Sequence, residues 1–210
     1  PKGYLEKLCG IARKHGILVI FDEVITAFGR LGHAFAAERY GLVPDLITFA
    51  KGLTNGSVPM SGVLVTGDIH GALMEGPEHV PEFYHGYTYS AHPLATGAAM
   101  ATLDVYRDGA LFDRAKQMER DFGEIFLALR DAPHVADIRP IGMMCGIDLV
   151  AADEGIGKRG FEAMKKAFHE QDLYVRVAAD TLVVAPPLIS TLDDLREIAS
   201  RLQLMLKDLV

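Results

Sequence analysis

The 210-residue sequence predicts an α/β chain: a helix-flanked, mostly parallel sheet over residues 1–108, then a small α+β domain over residues 109–210. Three observations carry this. Ile17 to Phe21 is a continuous, β-branched apolar run closed by Asp22-Glu23, the pattern of a parallel strand covered on both faces. A second run, Leu46 to Ala50, ends in Lys51-Gly52, and a third follows at Val63 to Val65. Around these runs, apolar residues recur at helical spacing.

In chain order, Leu5, Leu8, Cys9 and Ala12 mark a helix that ends at His15-Gly16, where glycine can adopt the left-handed cap conformation. Between Pro77 and Pro93 the sequence is rich in Gly, His, Tyr and Pro without periodicity, as in a long functional loop. Pro93 suits the first turn of an Ala-rich helix that stops at Asp108-Gly109, where the domain boundary is expected. An amphipathic helix follows from Leu111 to Leu129, then strands at 135–139 and 143–150, a helix at 160–171 and strands at 173–177 and 182–185. The last helix opens with Thr191 and Asp194 at capping-box spacing.

Half of the residues are apolar, enough to bury a core, and the formal net charge of −7 is spread without a single-signed run. The basic footprint of a nucleic-acid binder is therefore missing. Apolar runs such as Ile17 to Phe21 fall far short of the ~20 residues that span a bilayer, and the chain reads as cytoplasmic. Cys9 and Cys145 stand alone, with neither a CxxC nor a histidine at ligand spacing, so both are expected in the core and no metal site is expected. The opening Pro1-Lys2-Gly3-Tyr4 lacks an initiator Met and reads as a start within a domain.

Chemistry concentrates at two strand ends. Lys51 is flanked by Phe49-Ala50 and Gly52-Leu53, so desolvation is expected to lower its pKa from about 10.4 and ready the amine for condensation with an aldehyde. A lysine snorkelling from a strand end is the plainer alternative. Asp22, at the same edge of the sheet, could hold a proton on a pyridine nitrogen, or simply cap the next element. Val24 could give a cofactor ring an apolar face, or pack in the core.

Asp22 to Gly32 (DEVITAFGRLG) and Pro44 to Gly52 (PDLITFAKG) together resemble the cofactor signature of class III pyridoxal-phosphate (PLP) aminotransferases, at about that family's interval. The resemblance covers essentially the whole chain and only the C-terminal portion of a family member. It implies a fold type I PLP-dependent transferase, with residues 1–108 as part of the large PLP-binding domain and 109–210 as the small C-terminal domain. It also implies a Schiff base on Lys51, with Asp22 and Val24 against the cofactor. The block His85 to Pro93 is similar to the loop whose Thr reaches the phosphate of the partner subunit, which assigns that role to Thr88 with Tyr87 beside it and implies a homodimer. Leu173 to Thr181 resembles the strand carrying a mobile carboxylate-binding arginine in ω-amino acid (β-alanine):pyruvate aminotransferases, which points to Arg176. As a plainer reading, Arg176 is the outward residue of an edge strand.

Two departures stand out: Ala27 replaces the commoner Gly, and Ile25 occupies a position where several subfamilies carry a Gln. The expected function is amino transfer from an ω-amino acid or amine to pyruvate, with an active site that these residues alone do not complete. Competing readings are a P-loop-type ATPase half with Asp22-Glu23 as a Walker B acid pair, and a non-catalytic aminotransferase-like scaffold. Within class III, glutamate-semialdehyde aminomutase, diaminopelargonate synthesis and acetylornithine-type transamination also remain.

Overall fold

A computed structural model describes residues 1–80, 83–153 and 155–209. Its chain forms two compact units, residues 1–29 with 33–112, and residues 30–32 with 113–210. The expected boundary at 108–109 coincides with the end of a helix, and the units divide a little later, after Phe112, whose ring lies 5.2 Å from that of Tyr106.

The first unit opens with α1 (Tyr4–Lys14). Its end closes as a Schellman motif: Gly16, at φ 63°, donates to the Arg13 carbonyl and Ile17 donates to that of Ala12. Then come β1 (Ile20–Asp22), the short helix α2 (Ala36–Arg39), β2 (Leu46–Phe49), a single 3₁₀ turn at Lys51–Leu53, and β3 (Gly62–Val65). Helices α3 (Gly67–Met74) and α4 (Pro93–Asp108) complete it, the latter with proline in its first turn as expected. Helix α3 was not legible beforehand, since its eight residues include two glycines and give no periodic signal.

The sheet order is β1-β2-β3, with β1 parallel and β3 antiparallel to β2. Strand β1 begins later than the apolar run because the Val19 N–H is taken by the Asp45 carboxylate at 2.7 Å, and ladder pairing starts with Ile20 opposite Leu46. Cover on both faces of this run, expected from its composition, is not supplied within the unit: Ile17, Leu18 and Ile20 are 59%, 61% and 60% exposed. Continuous apolarity reports that a strand is made to be covered, not which residues cover it.

Glu23, directly after β1, is buried and folds the following loop back. Its carboxylate accepts from Ala36 N–H at 2.6 Å, Ala37 N–H at 2.8 Å and the Thr26 hydroxyl at 2.9 Å. Two otherwise orphaned donors at the start of α2 are thereby satisfied. Above the same region lies an aromatic cluster in which Phe28 meets Phe35 and Phe49, each at 5.9 Å, and stacks on Tyr106 at 6.2 Å.

The second unit contains α5 (Leu111–Leu127), β4 (Val135–Ile141), β5 (Met144–Leu149), α6 (Lys158–Gln171), β6 (Arg176–Ala178), β7 (Thr181–Val184) and α7 (Leu192–Lys207). All neighbours in its sheet, β4-β5-β7-β6, are antiparallel, and the α+β expectation describes it. Strand β5 alternates strictly, burying Cys145, Ile147 and Leu149. With Phe122 and Phe126 from α5, Ala163 and Ala167 from α6, Leu182 from β7 and Leu202 from α7, these side chains make one core. Both cysteines are buried and unpaired, as expected, and burial pushes the Cys145 thiol up to about 12. On the outer face, Arg139 pairs with Asp137 and Asp148 and holds the Asp148 carboxyl below the usual carboxylate range, with Thr181 also donating to it. Helix α7 has the capping box: Thr191 Oγ1 accepts from Asp194 N–H while the Asp194 carboxylate accepts from Thr191 N–H.

The Glu23 staple generates a prediction. Replacing Glu23 with Ala strands three donors in a buried setting, and the expected loss is on the order of 2–4 kcal/mol in urea unfolding, with Glu23→Gln intermediate. An unchanged unfolding midpoint for Glu23→Ala would show that solvent satisfies those donors.

Candidate active site

The parallel register sets Asp22 opposite Thr48, with Lys51 three residues beyond on β2's own continuation. Adjacent strands lie ~4.8 Å apart, so the carboxylate and the amine leave the sheet from neighbouring strand ends. This is the C-terminal edge of the parallel pair, where open α/β sheets hold ligands. The Asp22 side chain is anchored by two donors, Val24 N–H and the Thr48 hydroxyl, both at 3.1 Å. It is exposed, and Val24 beside it is half-buried.

Lys51 leaves the strand through a backbone of φ 33°, in the left-handed region, and starts the 3₁₀ turn. That turn is fixed from both sides. A Cβ on Gly52 would come within 2.9 Å of the Phe28 Cβ, so only glycine allows this approach, and the Gly52 carbonyl accepts from the Tyr106 hydroxyl at 2.7 Å. Thr54, buried just after the turn, donates to the Val58 carbonyl and accepts at its own carbonyl from the Ser57 hydroxyl. The desolvation expected of Lys51 is corrected here: its side chain is exposed, because its apolar neighbours Phe49 and Leu53 turn into the unit's interior instead of around the amine.

An open depression of about 1060 Å³ lies over this turn, lined by Lys51, Thr54, Ser61, Tyr87, Thr88 and Ala95 of α4, among others. Among the described residues, no Asp or Glu lines it. The loop that brings Tyr87 and Thr88 is irregular over its described residues, as expected. It is ordered locally by His85, whose Nδ1 accepts from Tyr87 N–H at 3.0 Å, and by a turn in which Ser90 N–H donates to the Tyr87 carbonyl. Thr88 and Tyr87 are exposed, and Tyr87 has φ 49°. Asp22 and Val24 are not among the residues lining the depression.

Arg176 belongs to the second unit, on the edge strand β6, opposite Val183 of β7. Its side chain is exposed, and among the described residues no ion pair or side-chain hydrogen bond engages it. The structure thus gathers Lys51, Tyr87 and Thr88 around one depression, sets Asp22 and Val24 at the adjoining strand end, and carries Arg176 on a separate unit. Sequence reasoning missed the residues that fix the lysine turn, namely Phe28, Gly52 and Tyr106. The glycine directly after Lys51 was the one available signal. The Walker B reading also loses its water-orienting acid, since both Glu23 oxygens are committed to the α2 loop.

Comparison with known proteins agrees with this architecture. The class-III aminotransferase family model matches residues 1–206. An omega-aminotransferase of Caulobacter vibrioides is 49% identical over 90% of this chain and 43% of its own length. A beta-alanine–pyruvate aminotransferase of Pseudomonas aeruginosa is 44% identical over 89% of the chain and 42% of its own. The crystal structure of a thermostable (S)-enantioselective omega-transaminase from Thermomicrobium roseum superposes with a TM-score of 0.91 at 33% identity, covering all of this chain and 47% of that one. The chain spans less than half the length of these relatives. With a strand-end lysine and aspartate set out by a fold shared over its full extent, the chain belongs to the class III aminotransferases, a PLP-dependent family of fold type I.

Proposed function

We propose that the protein carrying this chain moves an amino group from an ω-amino acid or amine to pyruvate, with Lys51 as the residue that holds PLP. The observation behind this reading is the position of Lys51, at a fixed turn beneath an open depression and beside the strand end that bears Asp22. The residues present fit the cofactor. Lys51 opens onto a depression that no described carboxylate lines, which suits an anionic cofactor, and an anchored carboxylate stands at the next strand end for the ring nitrogen.

PLP, when bound, supplies a conjugated ring that draws electron density from the carbon bearing the amino group. The Lys51 Nζ attaches the cofactor. The same Nζ would take a proton from the donor carbon as general base and return one as general acid. Asp22, oriented by Thr48 and by the Val24 N–H, keeps a proton on the ring nitrogen, and Val24 gives the ring an apolar face. Arg176 offers a bidentate site for the carboxylate of pyruvate or of an ω-amino acid donor. The names borne by the two curated relatives support the choice of donor and acceptor. Thr88, with Tyr87 beside it, directs its hydroxyl to the phosphate in a second copy's site, which makes the assembly a homodimer.

Three measurements test this. In the protein carrying this chain, PLP should give a visible-range absorbance that borohydride fixes as added mass on the Lys51 peptide; Lys51→Ala should lose both absorbance and turnover, and Asp22→Asn should bind PLP but lose most of its rate. Retained turnover in Lys51→Ala would remove the lysine from this role, and PLP binding without turnover in the unmutated protein would favour a scaffold. Arg176→Ala should raise KM for pyruvate far more than KM for a simple aldehyde acceptor, whereas equal effects would end the carboxylate assignment. Light scattering of the PLP-loaded protein should return twice the mass of its own full polypeptide, and a monomer would withdraw the second-copy role of Thr88.

A further inference from the structure

Arg176 sits on a strand that is hydrogen-bonded on one side only, so its position depends on what holds the β6–β7 hairpin. The two-residue connection of that hairpin is Ala179-Asp180, with Ala179 in the left-handed region at φ 51°. Asp180 turns back and is buried. Its two carboxylate oxygens accept separately, Oδ2 from Gly157 N–H at 2.7 Å and Oδ1 from Gly160 N–H at 2.9 Å. Both donors belong to the start of α6, where backbone N–H groups lack helical partners and the helix dipole favours an anion. Its backbone carbonyl is also engaged, accepting from Leu149 N–H at the end of β5. A Cβ on Gly160 would meet the Ala179 carbonyl oxygen at 2.1 Å, so the hairpin connection lies directly on the helix backbone with no room for a side chain between.

We propose that Asp180 is a positioning residue for Arg176, pinning the β6–β7 hairpin to the first turn of α6 so that the guanidinium is presented from a fixed strand. This rests on the reading of Arg176 as the carboxylate-binding residue. Asp180 acts through the three intervening residues, Val177 to Ala179. The hydrogen bonds from Gly157 and Gly160 hold its carboxyl below the usual carboxylate range, in keeping with an anion kept in place at the helix start.

The test uses the PLP-loaded protein and two acceptors, pyruvate and an aldehyde without a carboxylate. Asp180→Asn keeps an acceptor for one of the two N–H groups and sets an amide N–H₂ against the other. It should raise KM for pyruvate on the order of tenfold relative to KM for the aldehyde, and should speed hydrogen exchange of the 176–183 amides. Asp180→Ser, a milder disruption that keeps one acceptor, should shift both readings in the same direction by less, and serves if the Asn variant does not fold. Equal changes for the two acceptors, or unchanged exchange in the hairpin, would overturn the proposal and leave Asp180 as a structural residue. Arg176→Ala measured alongside separates the two failures. If it discriminates between the acceptors and the Asp180 variants do not, the positioning role alone falls; if Arg176→Ala fails to discriminate, the carboxylate reading falls and the positioning role with it.

Discussion

The parallel pairing of β1 with β2 is the constraint on which the site depends. With Ile20 opposite Leu46 and Asp22 opposite Thr48, the end of each strand is fixed relative to the other by backbone hydrogen bonds, whatever the side chains do. A slip of one residue would turn Asp22 to the opposite face and break its bond from Thr48. The register is itself defended outside the ladder. Asp45 takes the Val19 N–H before the first pair, and Glu23 N–H donates to the Thr48 carbonyl after the last.

Around that pair, the structure uses carboxylates as staples where the chain must reverse. Glu23 ties the loop after β1 to α2, Asp180 ties a hairpin to α6, and Asp194 closes the start of α7. Each meets backbone N–H groups at a helix start or cap, the place where a negative side chain gains most from unpaired donors and the helix dipole. The lysine turn is held differently, by aromatic packing on Phe28 and by a hydroxyl from Tyr106 to the backbone of Gly52. Packed groups hold the backbone beside Lys51, while the lysine itself stays exposed.

Much of this was legible in the residues. Apolar runs closed by Asp22 and by Lys51 announced two strand ends, and the capping pair Thr191 and Asp194 marked the last helix correctly. Three features were not, for physical reasons. The exposure of Lys51 depends on which way Phe49 and Leu53 turn, and composition is silent on direction. The exposure of Ile17, Leu18 and Ile20 depends on what packs against the run, which its own composition does not state. The roles of Glu23 and Asp180 are long-range bonds to backbone N–H groups, 13 to 23 residues away, which leave no local pattern in side-chain type.

The backbone of Lys51 carries a last implication. A non-glycine residue in the left-handed region gives up on the order of 1 kcal/mol that glycine would not. The molecule therefore carries a local weakness at the one residue proposed to react. Selecting this polypeptide for heat resistance alone would reward losing the lysine, so robustness and chemistry pull against each other at a single α-carbon.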